Sequence, residues 1–226
     1  MKKHIPNSIT CCNLISGCIA TGLAFGNSIE MALLFIIIGA VFDFFDGMVA
    51  RLLNVSSPIG KELDSLSDVI TFGLAPSTII FSMLHEPLRD YLPYGAFIMA
   101  AFSALRLAKF NLDERQALGF IGLPTPANAL FWGSLIVGVG DKLENHSWVL
   151  YFIIAGILIS SWLLVSEIPM FALKFKHWGF KGNEVKYIFL ITCCPLVAIF
   201  GISAFAIIVA WYVILSAIVQ QSSTQK

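Results

Sequence analysis

The sequence predicts an all-α protein, a polytopic integral membrane bundle of about eight transmembrane helices. Of its 226 residues, 58% are hydrophobic and only 12% are charged, and the mean hydropathy is +0.84. A soluble domain carries about 25% charged residues, and about half of its residues are apolar. The apolar residues are also grouped into runs, several of which reach the ~20 residues that a helix needs to cross a bilayer. We therefore expect a single membrane-embedded domain over residues 1–226.

Eight apolar runs follow one another along the chain. They cover residues 9–26, 29–53, 60–84, 91–110, 125–140, 147–166, 185–201 and 203–219. The fifth and seventh runs are short, so a bundle of six spans is the alternative. Residues 220–226 are polar and predict a frayed C-terminal tail.

The distribution of basic residues predicts the orientation of these runs. If the N-terminus is cytoplasmic and all eight runs cross, only Arg89 and Lys142 of the 14 Lys and Arg residues lie in outside loops. This asymmetry is the positive-inside pattern of membrane proteins. The basic start at Lys2 and Lys3 is not followed by a small-residue cleavage site, which favours a signal anchor in the cytoplasmic membrane. A net charge of zero and the absence of a basic block give no indication of nucleic-acid binding.

Four aspartates interrupt the second and third runs. Asp43 and Asp46 are three residues apart, and Asp64 and Asp68 are four apart, so each pair lies on one helix face. An ionised Asp inside a membrane helix costs about 2.5–3.5 kcal/mol, and four such charges also repel one another. Carboxylate oxygens are the ligands that hard cations such as Mg²⁺ and Mn²⁺ prefer. The pattern predicts a divalent metal site, and a purely structural polar network between helices is the alternative.

The residues between the two acidic pairs are typical of a ligand site. Gly47, Ala50 and Gly60 keep the surroundings of the carboxylates small, so that a polar ligand can approach the backbone. Arg51 lies four residues after Gly47 on the same face and offers a fork for phosphate. Small residues also permit close helix packing, which is compatible with the ligand role. Lys61 is interpreted as a positive-inside anchor.

Together these residues form one signature. It extends from residue 43 to residue 68 and reads Asp43-x2-Asp46-Gly47-x2-Ala50-Arg51-x8-Gly60-x3-Asp64-x3-Asp68. This signature resembles that of the CDP-alcohol phosphatidyltransferases, and all eight of its fixed positions are filled at the right spacing.

The resemblance implies a helical membrane fold with a six-helix catalytic core, usually assembled as a homodimer. It also implies transfer of a phosphatidyl group from a CDP-linked lipid to an alcohol, with release of CMP and with two divalent cations, Mg²⁺ or Mn²⁺. By position, the metal ligands are Asp43, Asp46, Asp64 and Asp68, and Asp68 is also the general base. The CDP-lipid contacts implied by the resemblance are Asn7, Gly47, Ala50, Arg51, Ser57 and Gly60.

Three further segments, residues 106–111, 120–127 and 166–171, resemble the phosphatidylserine synthase branch of that family. The expected substrates are therefore CDP-diacylglycerol and L-serine. Arg106 and Lys109 lie on the cytoplasmic side in the predicted topology, and Arg106 can hold the serine carboxylate with two hydrogen bonds. Asn111 and Glu167 are further candidates, Glu167 for the serine ammonium.

Two groups of alternatives remain at this stage. The first is the same chemistry on another alcohol, such as glycerol 3-phosphate or inositol phosphate, or with an archaeal ether lipid as donor. The second is a cation transporter, because acids inside a membrane also bind translocated ions. Transporters usually show repeated halves. The C-terminal half carries no second acidic motif, and beyond Glu167 its single acid is Glu184.

Overall fold

The computed structural model describes residues 4–88, 91–112, 120–143, 147–170, 179–180 and 183–224. Lys2, Lys3 and Arg89, which entered the orientation argument, lie outside these ranges. The α-helices of the described ranges are α1 (His4–Phe25), α2 (Ile29–Leu52), α3 (Pro58–Asp68), α4 (Ala75–Leu88), α5 (Ile98–Leu112), α6 (Thr125–Leu143), α7 (Ser147–Val165), α8 (Glu184–Phe200) and α9 (Ala204–Thr224).

The predicted all-α polytopic membrane fold is confirmed. Five helical stretches are long and apolar enough to cross a bilayer, and Val149–Val165 is a shorter apolar helix. The five are His4–Phe25, Ile29–Leu52, Pro58–His85, Leu92–Leu112 and Glu184–Val219. The last of these contains both α8 and α9. The number of eight crossings therefore stays a prediction.

The 36-residue stretch Glu184–Val219 is a helical hairpin rather than one long helix. The chain turns at Gly201, whose φ of +56° lies in the left-handed region that favours glycine. A 3₁₀ turn, Gly201–Ser203, then leads into α9. The two helices pack against each other, with the rings of Phe189 and Tyr212 6.0 Å apart. Helix α9 continues to Thr224, so most of the polar tail predicted to fray from residue 220 is helical.

The third and fourth apolar runs are helical but not uniformly α-helical. A π-helical turn, Val69–Leu74, joins α3 to α4 and begins immediately after Asp68. A 3₁₀ segment, Leu92–Phe97, leads into α5. Single π turns inside α-helices occur frequently at functional sites, and this one begins beside an acid of the signature.

A short strand pair, which the sequence did not predict, ties the segment before α6 to the segment after α7. Strand β1 (Phe120–Ile121) pairs antiparallel with β2 (Pro169–Met170). Gly122 follows β1 with φ +74°, and its N–H donates to the carbonyl of Ile168 at 2.9 Å. A Cβ at Gly122 would lie 2.8 Å from the carbonyl oxygen of Leu164, so glycine is required by both conformation and space.

Glycines bring α1 and α2 against the π turn just beyond the acids. A Cβ on Gly17 would collide with the hydroxyl and the backbone of Thr71. A Cβ on Gly39 would lie 2.5 Å from Cγ2 of Thr71 and 3.0 Å from Oδ1 of Asn13. Small residues let membrane helices approach closely. This packing places a polar face of α1 directly against the acidic pairs.

Candidate active site

Three of the four predicted metal ligands form one cluster. Asp43 on α2 and Asp64 and Asp68 on α3 each offer a carboxylate oxygen, and these oxygens lie within 4.8 Å of one another. Carboxylates at such separations repel unless a proton or a cation neutralises them. An all-oxygen set of this kind is suited to a hard divalent cation.

Asp46, the fourth acid, lies beside the cluster rather than within it. Its side chain is buried, with 6% of its surface exposed, and accepts a 2.6 Å hydrogen bond from the hydroxyl of Thr10. Asp46 also lines the same cavity as Asp64. Asp46 therefore lies about one helical turn after Asp43 on α2, next to the cluster.

Asp68 is held by α1 in the same way. Its side chain is 7% exposed, and Oδ1 accepts a hydrogen bond of 3.2 Å from Nδ2 of Asn13. The backbone carbonyl of Asn13 in turn accepts from the hydroxyl of Thr71, in the π turn, at 3.0 Å. Helix α1 therefore supplies a donor to one acid of each pair.

Sequence reasoning did not identify Thr10 and Asn13. The signal was nevertheless present, because the buried face of α1 includes Thr10, Asn13, Ser16 and Gly17 at helical spacing within an apolar run. A stripe of polar and small residues on a spanning helix predicts a face that packs against other polar groups. The partners of the stripe lie 36 and 55 residues away in the sequence, so the pairing itself required the structure.

A cavity of about 270 Å³ opens beside the acids at the turn between α2 and α3. Five of the six predicted CDP-lipid residues line it, namely Asn7, Gly47, Ala50, Ser57 and Gly60. The sixth, Arg51, lies over Gly47, with Nη1 3.4 Å from the position of a Cβ on that glycine. A methyl group on residue 47 would therefore be in van der Waals contact with the guanidinium.

The first turn of α3 forms one wall of this cavity. Ser57 caps the helix by accepting the N–H of Gly60 at 3.0 Å, and Pro58 occupies the first turn. A Cβ on Gly60 would lie 3.0 Å from Oδ1 of Asn7, so α1 and α3 meet closely here. Backbone N–H groups and the helix dipole make a helix N-terminus favourable for anions.

Lys61 does more than anchor the chain at the membrane surface. It lines the cavity, and its Nζ donates to the backbone carbonyl of Asn111 at 2.8 Å. Nδ2 of Asn111 donates to the hydroxyl of Ser65, also at 2.8 Å. These bonds fasten the end of α5 to α3 and place Asn111 against α3.

The four residues predicted to bind serine differ in burial. Arg106 is buried, with 7% of its surface exposed, and it interacts electrostatically with Asp68. Its guanidinium lies 5.8 Å from the ring centroid of Phe110, and its Nε has no hydrogen-bond partner among the described residues. Lys109 and Glu167 are exposed. Of the four candidates, Arg106 is the one that the structure shows interacting with an acid of the signature.

Tyr212 on α9 is a further neighbour of Arg106 that no sequence motif indicated. Its side chain is 8% exposed and lies near Arg106. The last helix thus reaches the vicinity of the acids.

Three similar proteins align with most of this chain. A protein of Bacillus subtilis (strain 168) is 36% identical over 182 residues, which cover 80% of this chain and 95% of the relative. A protein of Methanocaldococcus jannaschii is 35% identical over 203 residues, covering 90% of this chain and 87% of the relative. A protein of Helicobacter pylori (strain 26695) is 31% identical over 214 residues, covering 92% and 87%.

All three relatives carry the name CDP-diacylglycerol–serine O-phosphatidyltransferase. Residues 3–162 match the family described as CDP-alcohol phosphatidyltransferase, and this range contains the acidic cluster and every residue of the cavity. The chain therefore belongs to the CDP-alcohol phosphatidyltransferase family.

Proposed function

We propose that this protein transfers the phosphatidyl group of CDP-diacylglycerol to the hydroxyl of L-serine, which yields phosphatidylserine and CMP. The observation that carries the proposal is the cluster of Asp43, Asp64 and Asp68 beside a polar cavity lined by the family's signature residues. The names of the relatives favour serine as the acceptor.

On the donor side, the cavity receives the CDP moiety. Its lining includes Asn7, Gly47, Ala50, Ser57 and Gly60, and the guanidinium of Arg51 lies over Gly47. A guanidinium fork and a helix N-terminus are both suited to phosphate oxygens, and here they lie at the same cavity. The small side chains leave room for the diphosphate to approach the backbone.

The acids hold two divalent cations, Mg²⁺ or Mn²⁺, with Asp43, Asp46, Asp64 and Asp68 as ligands. When bound, such cations neutralise charge on the diphosphate and on the departing CMP. Thr10 and Asn13 fix the orientation of Asp46 and Asp68 through the hydrogen bonds described above. Outer hydrogen bonds of this kind commonly orient metal-binding carboxylates.

Asp68 acts as the general base. A serine hydroxyl is a weak nucleophile near neutral pH and must lose its proton as it attacks phosphorus. The new bond joins the serine oxygen to phosphorus, the bond from phosphorus to CMP breaks, and the proton passes to the Asp68 carboxylate. The buried position of Asp68, next to the cluster, suits a group that must meet both acceptor and phosphate.

Arg106 binds the carboxylate of the acceptor serine. It is buried, interacts with Asp68, and has an Nε that finds no hydrogen-bond partner in the part of the chain that the structure describes. A guanidinium in this position can hold a carboxylate with two parallel hydrogen bonds. It would also suit the phosphate of glycerol 3-phosphate, so the acceptor has to be determined by experiment.

The oligomeric state and the membrane orientation are proposed on the basis of the sequence. We propose a homodimer in the cytoplasmic membrane, with the N-terminus and the acidic cluster facing the cytoplasm. The distribution of Lys and Arg supports this orientation.

The test of the reaction is CMP release from CDP-diacylglycerol by the purified protein in detergent with Mg²⁺ or Mn²⁺. Serine, glycerol 3-phosphate and inositol phosphate are supplied separately. We expect CMP with serine alone. Release with another alcohol would overturn the acceptor, and no release with any of the three would overturn the transfer reaction.

The role of Arg106 is tested in the same assay. The Arg106→Gln variant should raise the KM for serine about tenfold or more, because a charged hydrogen bond contributes about 1.5–3 kcal/mol. The matched control is Lys109→Gln, which removes an exposed charge from the same helix and should leave the KM for serine unchanged. An unchanged KM in Arg106→Gln would contradict the assignment.

A further inference from the structure

A second cavity lies between α6, α7 and α9. This groove has a volume of about 490 Å³, and its walls are almost entirely apolar. Phe152, Ile159 and Ile214 form part of its lining and are 71%, 60% and 50% exposed, so the groove opens onto the outer surface of the bundle. In a membrane-spanning bundle, an apolar outer surface meets hydrocarbon chains.

The groove is elongated along the helices. On α7 its lining extends from Val149 to Leu163, which corresponds to about 20 Å of helix. One leaflet supplies about half of the ~30 Å hydrocarbon thickness of a bilayer. The groove is therefore long enough for an extended acyl chain.

Two polar side chains, Asn128 and Ser160, lie in this apolar lining, and Asn128 differs from Ser160 in its hydrogen bonding. Asn128 is 0% exposed, and among the residues that the structure describes neither its Oδ1 nor its Nδ2 has a hydrogen-bond partner. Leaving a buried amide without a partner costs about 1–3 kcal/mol. By contrast, the indole N–H of Trp132, also in the lining, is satisfied by the hydroxyl of Ser160 at 3.0 Å. The groove thus fits a ligand with a long apolar chain and a hydrogen-bonding group at one end.

The polar end of the groove lies on the side of the acids. A Cβ on Gly138 of α6 would lie 2.8 Å from the hydroxyl of Ser203, so the end of α6 meets the start of α9 and the two helices run antiparallel. Asn128 lies ten residues before Gly138 on α6, and Val213 lies ten residues after Ser203 on α9. Because the two helices are antiparallel, Asn128 and Val213 are at the same height along them. Both line the groove.

Val213 directly follows Tyr212, whose side chain is near Arg106. Arg106 is in turn near Asp68. The Asn128 end of the groove is therefore the end on the side of the acidic cluster, and the remainder of the groove extends away from it along α7.

We propose that this groove holds one acyl chain of the phosphatidyl donor and that Nδ2 of Asn128 donates a hydrogen bond to the ester carbonyl of that chain. The proposal rests on the proposed function for the identity of the donor. It adds the residues that select the acyl chain, which lie on helices outside the acidic signature.

The first test compares two donors, CDP-dipalmitoylglycerol and CDP-dihexanoylglycerol. Val213→Trp places a bulky ring in the groove and should raise the KM for the long-chain donor at least fivefold more than the KM for the short-chain donor. The control Ile207→Trp changes a residue of α9 that is 41% exposed and outside the groove lining, and it should leave both KM values unchanged. Equal effects of Val213→Trp on both donors would overturn the proposal.

The second test addresses Asn128. Asn128→Leu removes the amide at similar volume and should raise the KM for both donors about tenfold, because both carry the ester carbonyl. If the amide is only a buried structural group, the same change should raise the unfolding temperature and leave both KM values unchanged. That result would overturn the role of Asn128.

A third measurement needs no turnover. A CDP-diacylglycerol analogue with a diazirine near the end of one acyl chain is photolysed with the purified protein, and labelled peptides are identified. Labelling of α7 and α9 that unlabelled CDP-diacylglycerol displaces would support the groove even if the transfer reaction itself failed. Labels confined to other helices, or exclusion of the probe because a second copy of the chain covers the groove, would overturn the proposal.

Discussion

At the scale of single residues, the acids depend on α1 for their orientation. Thr10 donates to Asp46 and Asn13 donates to Asp68, and both donors belong to the buried face of the first helix. Carboxylates inside a membrane are tolerated where other protein groups or cations satisfy them. The first helix therefore contributes to the site as well as to the apolar helical bundle.

Replacing Asp68 should lower turnover without weakening the binding of CDP-diacylglycerol. Asp68→Asn keeps the size of the side chain but cannot accept the proton of serine, so turnover should fall about a hundredfold or more. The affinity for CDP-diacylglycerol should stay within about twofold of wild type. CMP release and equilibrium donor binding measure the two quantities, and near-normal turnover would contradict the role of Asp68 as base.

The hydrogen bond between Thr10 and Asp46 gives a second residue-scale prediction. Thr10→Val removes the 2.6 Å bond while keeping the shape of the side chain, and kcat/KM should fall about tenfold or more. Thr10→Ser, which keeps the hydroxyl, should retain most of the activity. Equal activities of the two variants would show that this hydrogen bond does not position the acid.

The positions of the acidic and small residues of the signature could be predicted from the sequence. The acids and the small residues of the signature could be placed because their spacing alone puts them on defined helix faces. Thr10, Asn13 and Tyr212 could not be assigned, since their importance depends on partners that are distant in the chain. Among the serine candidates, Arg106 is buried whereas Lys109, one turn later, is exposed, and their proximity in sequence does not indicate this difference.

At the scale of elements, the contact between α1, α2 and the π turn sets the geometry of the site. Thr71 of the π turn lies against Gly17 of α1 and Gly39 of α2, and its hydroxyl donates to the carbonyl of Asn13. Any displacement of this turn would be transmitted to Asp68, which precedes it directly.

This contact predicts different effects for two glycines of one helix. Gly17→Ala would push a methyl group into the backbone of Thr71 and should lower stability by about 1–3 kcal/mol. Gly22→Ala is the control, because nothing lies within 4 Å of a Cβ at that position. Thermal unfolding in detergent measures both, and equal unfolding temperatures would contradict the close packing.

Most helices could be predicted from hydropathy, but their interruptions could not. The π turn, the Gly201 turn between α8 and α9, and the pairing of β1 with β2 arise inside or between apolar runs. A run of apolar residues indicates that a segment is buried in lipid, but it does not indicate where the backbone departs from an α-helix. The strand pair joins segments some fifty residues apart, and such short pairs depend on the tertiary fold.

At the scale of the whole molecule, polar and apolar cavities occupy different helices. The cavity of α1, α2 and α3 is lined by polar and small residues next to the acids, whereas the groove of α6, α7 and α9 is apolar. Arg106 is near both Asp68 of the first region and Tyr212 of α9. This arrangement is suited to a lipid with a charged head group and an apolar tail.

The most direct test of the metal site is Mn²⁺ binding to the purified protein, measured by electron paramagnetic resonance. CMP release is assayed on the same samples. Wild type should bind Mn²⁺, and Asp64→Asn should lose at least tenfold in affinity and lose CMP release in parallel. The matched control is Glu62→Gln, an exposed acid of the same helix outside the cluster, which should behave as wild type. Undiminished Mn²⁺ affinity in Asp64→Asn would contradict the assignment of the acidic cluster as the metal site.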